Sequence, residues 1–240
     1  MAQWIYGRNT VKSALKEKKV TKIYLSNTAK EDEILKECQK QHLRYTFLPL
    51  TQLNQMAQGA AHQGVIAEVQ EYTFTPFQEM LDKAKKAEYP LLVILDGLND
   101  PHNLGAILRS ADAFGAQGII IGKHRQVGLT ATVAKVSTGA IDHVPVAQVP
   151  NLSQIIRQLK KEGFWVVASD GMAKQDYREI DYRMPIALIV GSEGEGISRL
   201  LMEQSDFLIK IPMCGSVNSL NASVATAVLL AQIYSNRFPL

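Results

Sequence analysis

No stretch of eighteen apolar residues occurs in this 240-residue chain, and the opening MAQWIYGRNTVKSALK has no uninterrupted apolar segment, so neither a membrane span nor a secretory leader is expected. Cysteine is scarce. Cys38 and Cys214 lie far apart and form no CxxC pair, and the five scattered histidines include no HExxH, which leaves no metal-binding pattern. These shortages point to a reduced, cytoplasmic protein without a metal centre.

Overall charge is also small, a formal +3, but it is unevenly spread. Residues 1–75 hold ten Lys/Arg against seven Asp/Glu, whereas residues 76–240 hold sixteen of each, so the whole excess lies in the first third. Within it Arg8, Lys12, Lys16, Lys18, Lys19 and Lys22 face only Glu17. A cluster of that size suits contacts to phosphates, and it also suits a solvated helix face.

Periodicity divides the chain. Helical spacing from Gly7 to Lys18, with Val11, Ala14 and Leu15 apolar, precedes a strand KIYLS at residues 22–26. A helix over Lys30–Gln41, a strand over Arg44–Leu48, a short helix over Thr51–Gln58 and a strand GVIAEV at 64–69 follow. This alternation predicts a small α/β domain over residues 1–72. Residues 73–89, with Pro76 and one short charged helix, are expected to be a linker ahead of a second domain over 90–240. That domain opens on LLVILD (91–96), an apolar run suited to a strand covered on both faces. GIIIG, WVVAS, IALIVG and FLIKI repeat the pattern with helical segments between them, which predicts an α/β fold with a mostly parallel sheet. The last segment, Ala222–Arg237, reads as a helix with little polar surface, fit for burial on the sheet or for a subunit interface.

Three loops follow strands of this sheet and are rich in glycine and small polar residues, at the edge where open parallel sheets bind ligands. After LLVILD comes GLNDPHN, with Asn103 expected as N-cap of a helix that Gly115 stops, and with Arg109 beside the apolar stripe Leu104, Ile107, Leu108 and Ala111. Taken alone, Arg109 reads better as a surface residue paired with Asp112 at i+3. The second loop, Gly191-Ser-Glu-Gly-Glu-Gly196, lacks the G-x-G-x-x-G order of a dinucleotide site. Ile197 also stands where a P-loop needs lysine. Glu193 and Glu195 would repel phosphate, so the loop favours a neutral or positively charged ligand. The third, IPMCGSVNSLNAS, crowds Ser216, Asn218, Ser219, Asn221 and Ser223 ahead of the last helix, more polar groups than one cap requires.

N-x5-R, G-x-E-G-x-G and I-P-M-x-G-x3-SLN-x-S, in this order, resemble the three motifs of the SpoU branch of the SPOUT RNA ribose 2'-O-methyltransferases. The N-terminal GRNTVKSAL and HQGVIAEV resemble the L30e-like RNA-binding domain of that family's ribosomal members, and the resemblance is nearest to a methyltransferase acting on a guanosine of 23S rRNA, which implies that substrate. The resemblance implies a catalytic domain with a C-terminal trefoil knot and S-adenosylmethionine as cofactor, held near Gly191, Ile211 and Leu220. It implies Arg109 as the residue that activates the ribose hydroxyl, with Glu193, Ser219 and Asn221 orienting the nucleotide and Asn103 supporting the site. It implies a homodimer through the catalytic domain, in which one subunit's arginine can serve the other's site. A guanidinium is effectively always protonated, so Arg109 is expected to bind the adjacent phosphate and stabilise alkoxide charge rather than take the proton itself. Rival readings are a tRNA ribose methyltransferase of the same branch and a non-catalytic RNA-binding assembly factor.

Overall fold

The computed structural model describes residues 3–16, 20–27, 32–69, 72–124, 126–216 and 219–239. The chain forms two compact units, Met1–Tyr72 and Thr73–Leu240.

In the first unit the elements are β1 (Gln3–Tyr6), α1 (Arg8–Lys16), β2 (Val20–Ser26), α2 (Asp32–Lys40), β3 (Arg44–Leu48), α3 (Leu50–Ala57) and β4 (Val65–Val69). The strands lie in the order β1-β4-β2-β3, with β4 antiparallel to both neighbours and β3 parallel to β2. Strand alternation supplies both faces. Ile23, Leu25, Val65 and Ala67 bury against Val11, Leu15, Ile34 and Cys38 of α1 and α2, while Ile66 buries against Leu53 and Ala57 of α3. The periodicity missed β1, whose QWIY is too short to show a pattern. Of the expected basic cluster, Glu17, Lys18 and Lys19 lie outside the described residues. Lys12 is not unopposed: its Nζ sits 2.5 Å from Glu33 Oε2, a pairing that lowers the Glu33 pKa.

The second unit contains α4 (Phe77–Ala84), β5 (Leu91–Asp96), α5 (Pro101–Ala113), β6 (Gly118–Gly122), α6 (Ala131–Ser137) and β7 (Val146–Val149). It continues through α7 (Leu152–Lys161), β8 (Trp165–Ser169), β9 (Gln175–Asp176), β10 (Ile186–Gly191), α8 (Arg199–Gln204), β11 (Phe207–Lys210) and α9 (Ala222–Arg237). Seven strands run in the order β7-β6-β5-β10-β8-β11-β9, and every pairing is parallel. Leu91, Val93 and Leu95 of β5 point into a core shared with α5 and α9, while Leu92 and Ile94 point into a second core with α4 and α7. That two-sided burial is why the strands read as unbroken apolar runs. The helix of the expected linker belongs to this second core: Met80, Leu81 and Ala84 are fully buried, and Pro76 is the cap at its start. Strands β7 and β9 were not expected, since VAQV is short and flanked by Pro145 and Pro150, and Gln175–Asp176 is polar.

From β5 the chain steps outward through β6 to β7, then returns to build β8 on the far side of β10. The order therefore reverses at the β5–β10 pair, and the crevice beyond the carboxyl ends of those two strands is where such a sheet binds ligands.

Candidate active site

Strands β5 and β10 end in register, Gly191 opposite Asp96, so the loops that follow them start side by side. Asp96 Oδ2 accepts from the backbone N–H of Ser198 at 2.8 Å and fastens the far end of the second loop to the first strand. Within that loop Ser192 and Gly196 form a bridge, the Ser192 N–H donating to the Gly196 carbonyl at 3.2 Å and the Gly196 N–H to the Ser192 carbonyl at 3.0 Å. The closure requires glycine at 191, because a Cβ there would stand 2.1 Å from the Gly196 carbonyl carbon.

Asn103 is not the cap of α5. Asp100 is, accepting from the His102 N–H at 2.9 Å with Pro101 in the first helical position; Asp-Pro is itself a helix-start signal. Asn103 lies within the first turn, buried, with its side chain free to reach across loops. Its Nδ2 donates to Glu193 Oε1 at 3.0 Å, and its Oδ1 accepts from Asn221 Nδ2 at 2.9 Å. Asn221 Nδ2 also makes a close contact with Glu193 Oε1. The Oδ1 of Asn221 meanwhile caps α9, accepting from the N–H groups of Ser223 (2.9 Å) and Val224 (3.3 Å) and from Ser223 Oγ (2.6 Å). One asparagine thus serves both helix and loop triad, and Asn103, Glu193 and Asn221 tie three loops together.

Beside this triad lies a cavity of about 340 Å³, within the range of small-molecule sites. Gly191, Ile211, Leu220 and Ser219 line it, with Val190, Ile197, Ala222 and Ala225 as apolar wall and Asp170, Glu193 and Glu195 as carboxylates. Three carboxylates and, among the described residues, no Lys or Arg suit a cation better than a phosphate. On the other side of residues 192–195, a second hollow of about 440 Å³ is lined by residues 97–100 and Asn103. Asp170 and its neighbours Ser169 and Gly171 escaped the sequence reading, although the SDG that follows the apolar WVVA has the same form as the other loops.

Arg109 stands apart from these groups. It is exposed, lines neither hollow, and among the described residues makes no hydrogen bond or ion pair, including the expected one to Asp112. Six residues beyond Asn103, it sits about 9 Å along α5 and about 120° around it, facing away from its own chain's triad.

The profile of the SpoU rRNA Methylase family matches residues 90–231. A profile described as RNA 2'-O ribose methyltransferase substrate binding matches residues 4–75. A Bacillus subtilis chain named for the TrmH family of tRNA/rRNA methyltransferases is 46% identical, over 98% of this chain and 96% of its own length. Among solved structures, the AdoMet-bound rRNA methyltransferase of Sinorhizobium meliloti superposes with a TM-score of 0.65 at 26% identity, covering 96% of this chain and 85% of that one. The TrmH/SpoU tRNA modifying enzyme of A. aeolicus gives 0.57 at 30% identity, covering 67% of this chain and 81% of its own.

Proposed function

Because this chain belongs to the SpoU rRNA methylase family, S-adenosylmethionine-dependent RNA ribose methyltransferases with the SPOUT-type α/β fold, we propose that it methylates the 2'-hydroxyl of a guanosine ribose in 23S rRNA. The observation that carries the reading is the Asn103–Glu193–Asn221 triad, which joins the three motif loops beside a carboxylate-lined cavity. Bound there, S-adenosylmethionine supplies an electrophilic methyl on a sulfonium, a positive charge that Asp170, Glu193 and Glu195 attract. Gly191, Ile211 and Leu220 would hold it, the glycine by admitting close backbone approach and the two apolar side chains by flanking the adenosine.

The remaining chemistry falls to side chains. Glu193 Oε1 is occupied by two amides, and Oε2 has no protein partner among the described residues, which leaves it to accept from the nucleotide. Ser219 at the cavity rim adds a second polar contact, and Asn103 and Asn221 hold the carboxylate in place. Arg109 binds the phosphate next to the target ribose and stabilises charge developing on the 2'-oxygen, whose proton passes to that phosphate as the oxygen takes the methyl group. Its outward position supports a homodimer in which Arg109 of one copy completes the site of the other. Helix α9 offers a matching surface, since Val224 and Tyr234 are exposed on a helix that is apolar nearly all round and Phe238 is exposed just beyond its end.

Ribosomal RNA is favoured over tRNA by coverage. The rRNA methyltransferase of S. meliloti spans both units of this chain, whereas the tRNA modifying enzyme covers two thirds of it. We assign the first unit to RNA capture on the same grounds. Labelled S-adenosylmethionine offered with 23S rRNA fragments or total tRNA, followed by mass spectrometry of the nucleosides, tests the proposal. A 2'-O-methylguanosine in the rRNA fragment is expected, and methyl appearing only in tRNA would establish the rival substrate.

A further inference from the structure

Large apolar side chains left exposed in the described part of the first unit gather in one place: Tyr45 (39%), Phe47 (44%) and Leu50 (52%), on β3 and the first turn of α3. Strand β3 is the edge of its sheet. An exposed aromatic edge is a pairing hazard that proteins normally blunt, so its presence needs a reason.

Register shows what the edge offers. Tyr45 and Phe47 stand opposite Ile23 and Leu25 of β2 and share their face, while Arg44 and Thr46 stand opposite Lys22 and Tyr24 on the other. The two rings meet edge to face with centroids 6.0 Å apart. On the second face Lys22 Nζ lies 4.6 Å from the centroid of the Tyr24 ring, which is itself stacked on Trp4. Along the edge itself the charge is one-signed: from Cys38 through Ala67, across β3, α3 and the start of β4, the sequence has no Asp or Glu and carries Lys40 and Arg44, while on the second face one carboxylate, Glu68 of β4, accepts from the Tyr24 hydroxyl at 2.6 Å. A strand on which Tyr45 and Phe47 alternate with Arg44 and no acid matches unpaired nucleotides, whose bases stack on aromatic faces while their phosphates seek Arg and Lys. A protein strand adding to this edge would have no use for the missing carboxylates.

We infer that the β3 edge is where the first unit grips unpaired nucleotides of its RNA, Tyr45 and Phe47 serving as stacking surfaces and Arg44 and Lys22 meeting the backbone. The inference rests on the reading that this unit captures RNA.

Full-length protein is titrated with a labelled oligouridylate and with a fully paired RNA duplex of equal length. Tyr45→Leu/Phe47→Leu is expected to weaken oligouridylate binding about tenfold or more, the scale of a lost base stack, with little change for the duplex. Tyr45→Trp/Phe47→Trp should bind at least as tightly as wild type, which a merely structural role for the rings would not give. Arg44→Gln should reduce the slope of log affinity against log salt by about one. Wild-type affinity in the leucine pair, or weaker binding in the tryptophan pair, overturns the inference. So does a leucine pair that alters the assembly mass in sedimentation while its RNA affinity stays put, because the edge would then join copies of the chain. Failure of the wild-type protein to bind either RNA would instead remove the reading of the first unit as an RNA-capture domain.

Discussion

Helix α9 fastens the β5–β10 strand pair at both ends, and the two fastenings are built from opposite materials. At the carboxyl ends of the strands Asn221 caps the helix and bonds Glu193 and Asn103, with Glu193 and Asn221 themselves open to solvent. At the amino ends, some 24 Å away along the helix, Arg237 is buried. Its guanidinium donates to the carbonyls of Tyr182 (2.8 Å), Tyr89 (2.9 Å), Pro90 (3.1 Å) and Met184 (2.8 Å), residues just ahead of β5 and β10. No carboxylate pairs with it among the described residues, and burial pushes its pKa down to about 10. Tyr182 beside it is fully buried, its hydroxyl donating to the Tyr177 carbonyl at 2.6 Å. One end has spent its polar capacity on backbone. The other keeps polar atoms exposed around a cavity, so that the backbone-satisfied fastening and the proposed cofactor site sit at opposite edges of one sheet.

Substitutions should separate accordingly. The largest effect is expected at Arg109: Arg109→Ala should slow methyl transfer by about two to three orders of magnitude, as for loss of a charge-stabilising donor, and leave S-adenosylmethionine affinity intact by calorimetry. Arg109→Lys should recover little of this, because a point charge lacks the bidentate fork; near-wild-type transfer would refute that need. Arg237→Met comes next. It leaves the carbonyls of Tyr182, Tyr89 and Met184 without this donor, Pro90 keeping the Ile186 N–H at 2.8 Å, and should cost about 2–4 kcal/mol in chemical denaturation, with cofactor affinity unchanged. A loss of cofactor binding larger than the loss of stability would break the contrast between the two ends. Asn221→Ala should cost only about 1 kcal/mol through the cap while transfer falls steeply, since the same side chain positions Glu193. The smallest effect is alkaline. Burial raises the Tyr182 phenol above its ordinary value of 10.0, so the unfolded chain loses that proton first. Stability is then complete below pH about 10 and declines above it, and a Tyr182→Phe variant should lose that part of the decline.

The contrast also explains what could be read from sequence. Runs such as LLVILD and IALIVG announce buried parallel strands because both faces are covered, and the motif loops announce themselves because glycines and small polar residues seldom crowd behind strands without a ligand. Asn103 is given the wrong local task by the sequence, since Asp100-Pro101 already holds the cap. Arg237 left no trace: a basic residue ending a helix is ordinary, and its four carbonyls come from segments more than fifty positions away in the chain. The outward direction of Arg109 follows from helical phase, whereas the proposed target on another copy depends on which surface meets which.

Complementation between two inactive variants tests the assembled site most directly. Arg109→Ala and Glu193→Ala proteins, each inactive alone, are mixed, allowed to exchange subunits and assayed for methyl transfer to rRNA. If Arg109 of one copy meets the Glu193 loop of the other, half the subunits pair as heterodimers with one good site each, and activity returns to about one quarter of wild type. Heterodimers that form and remain inactive would contradict it.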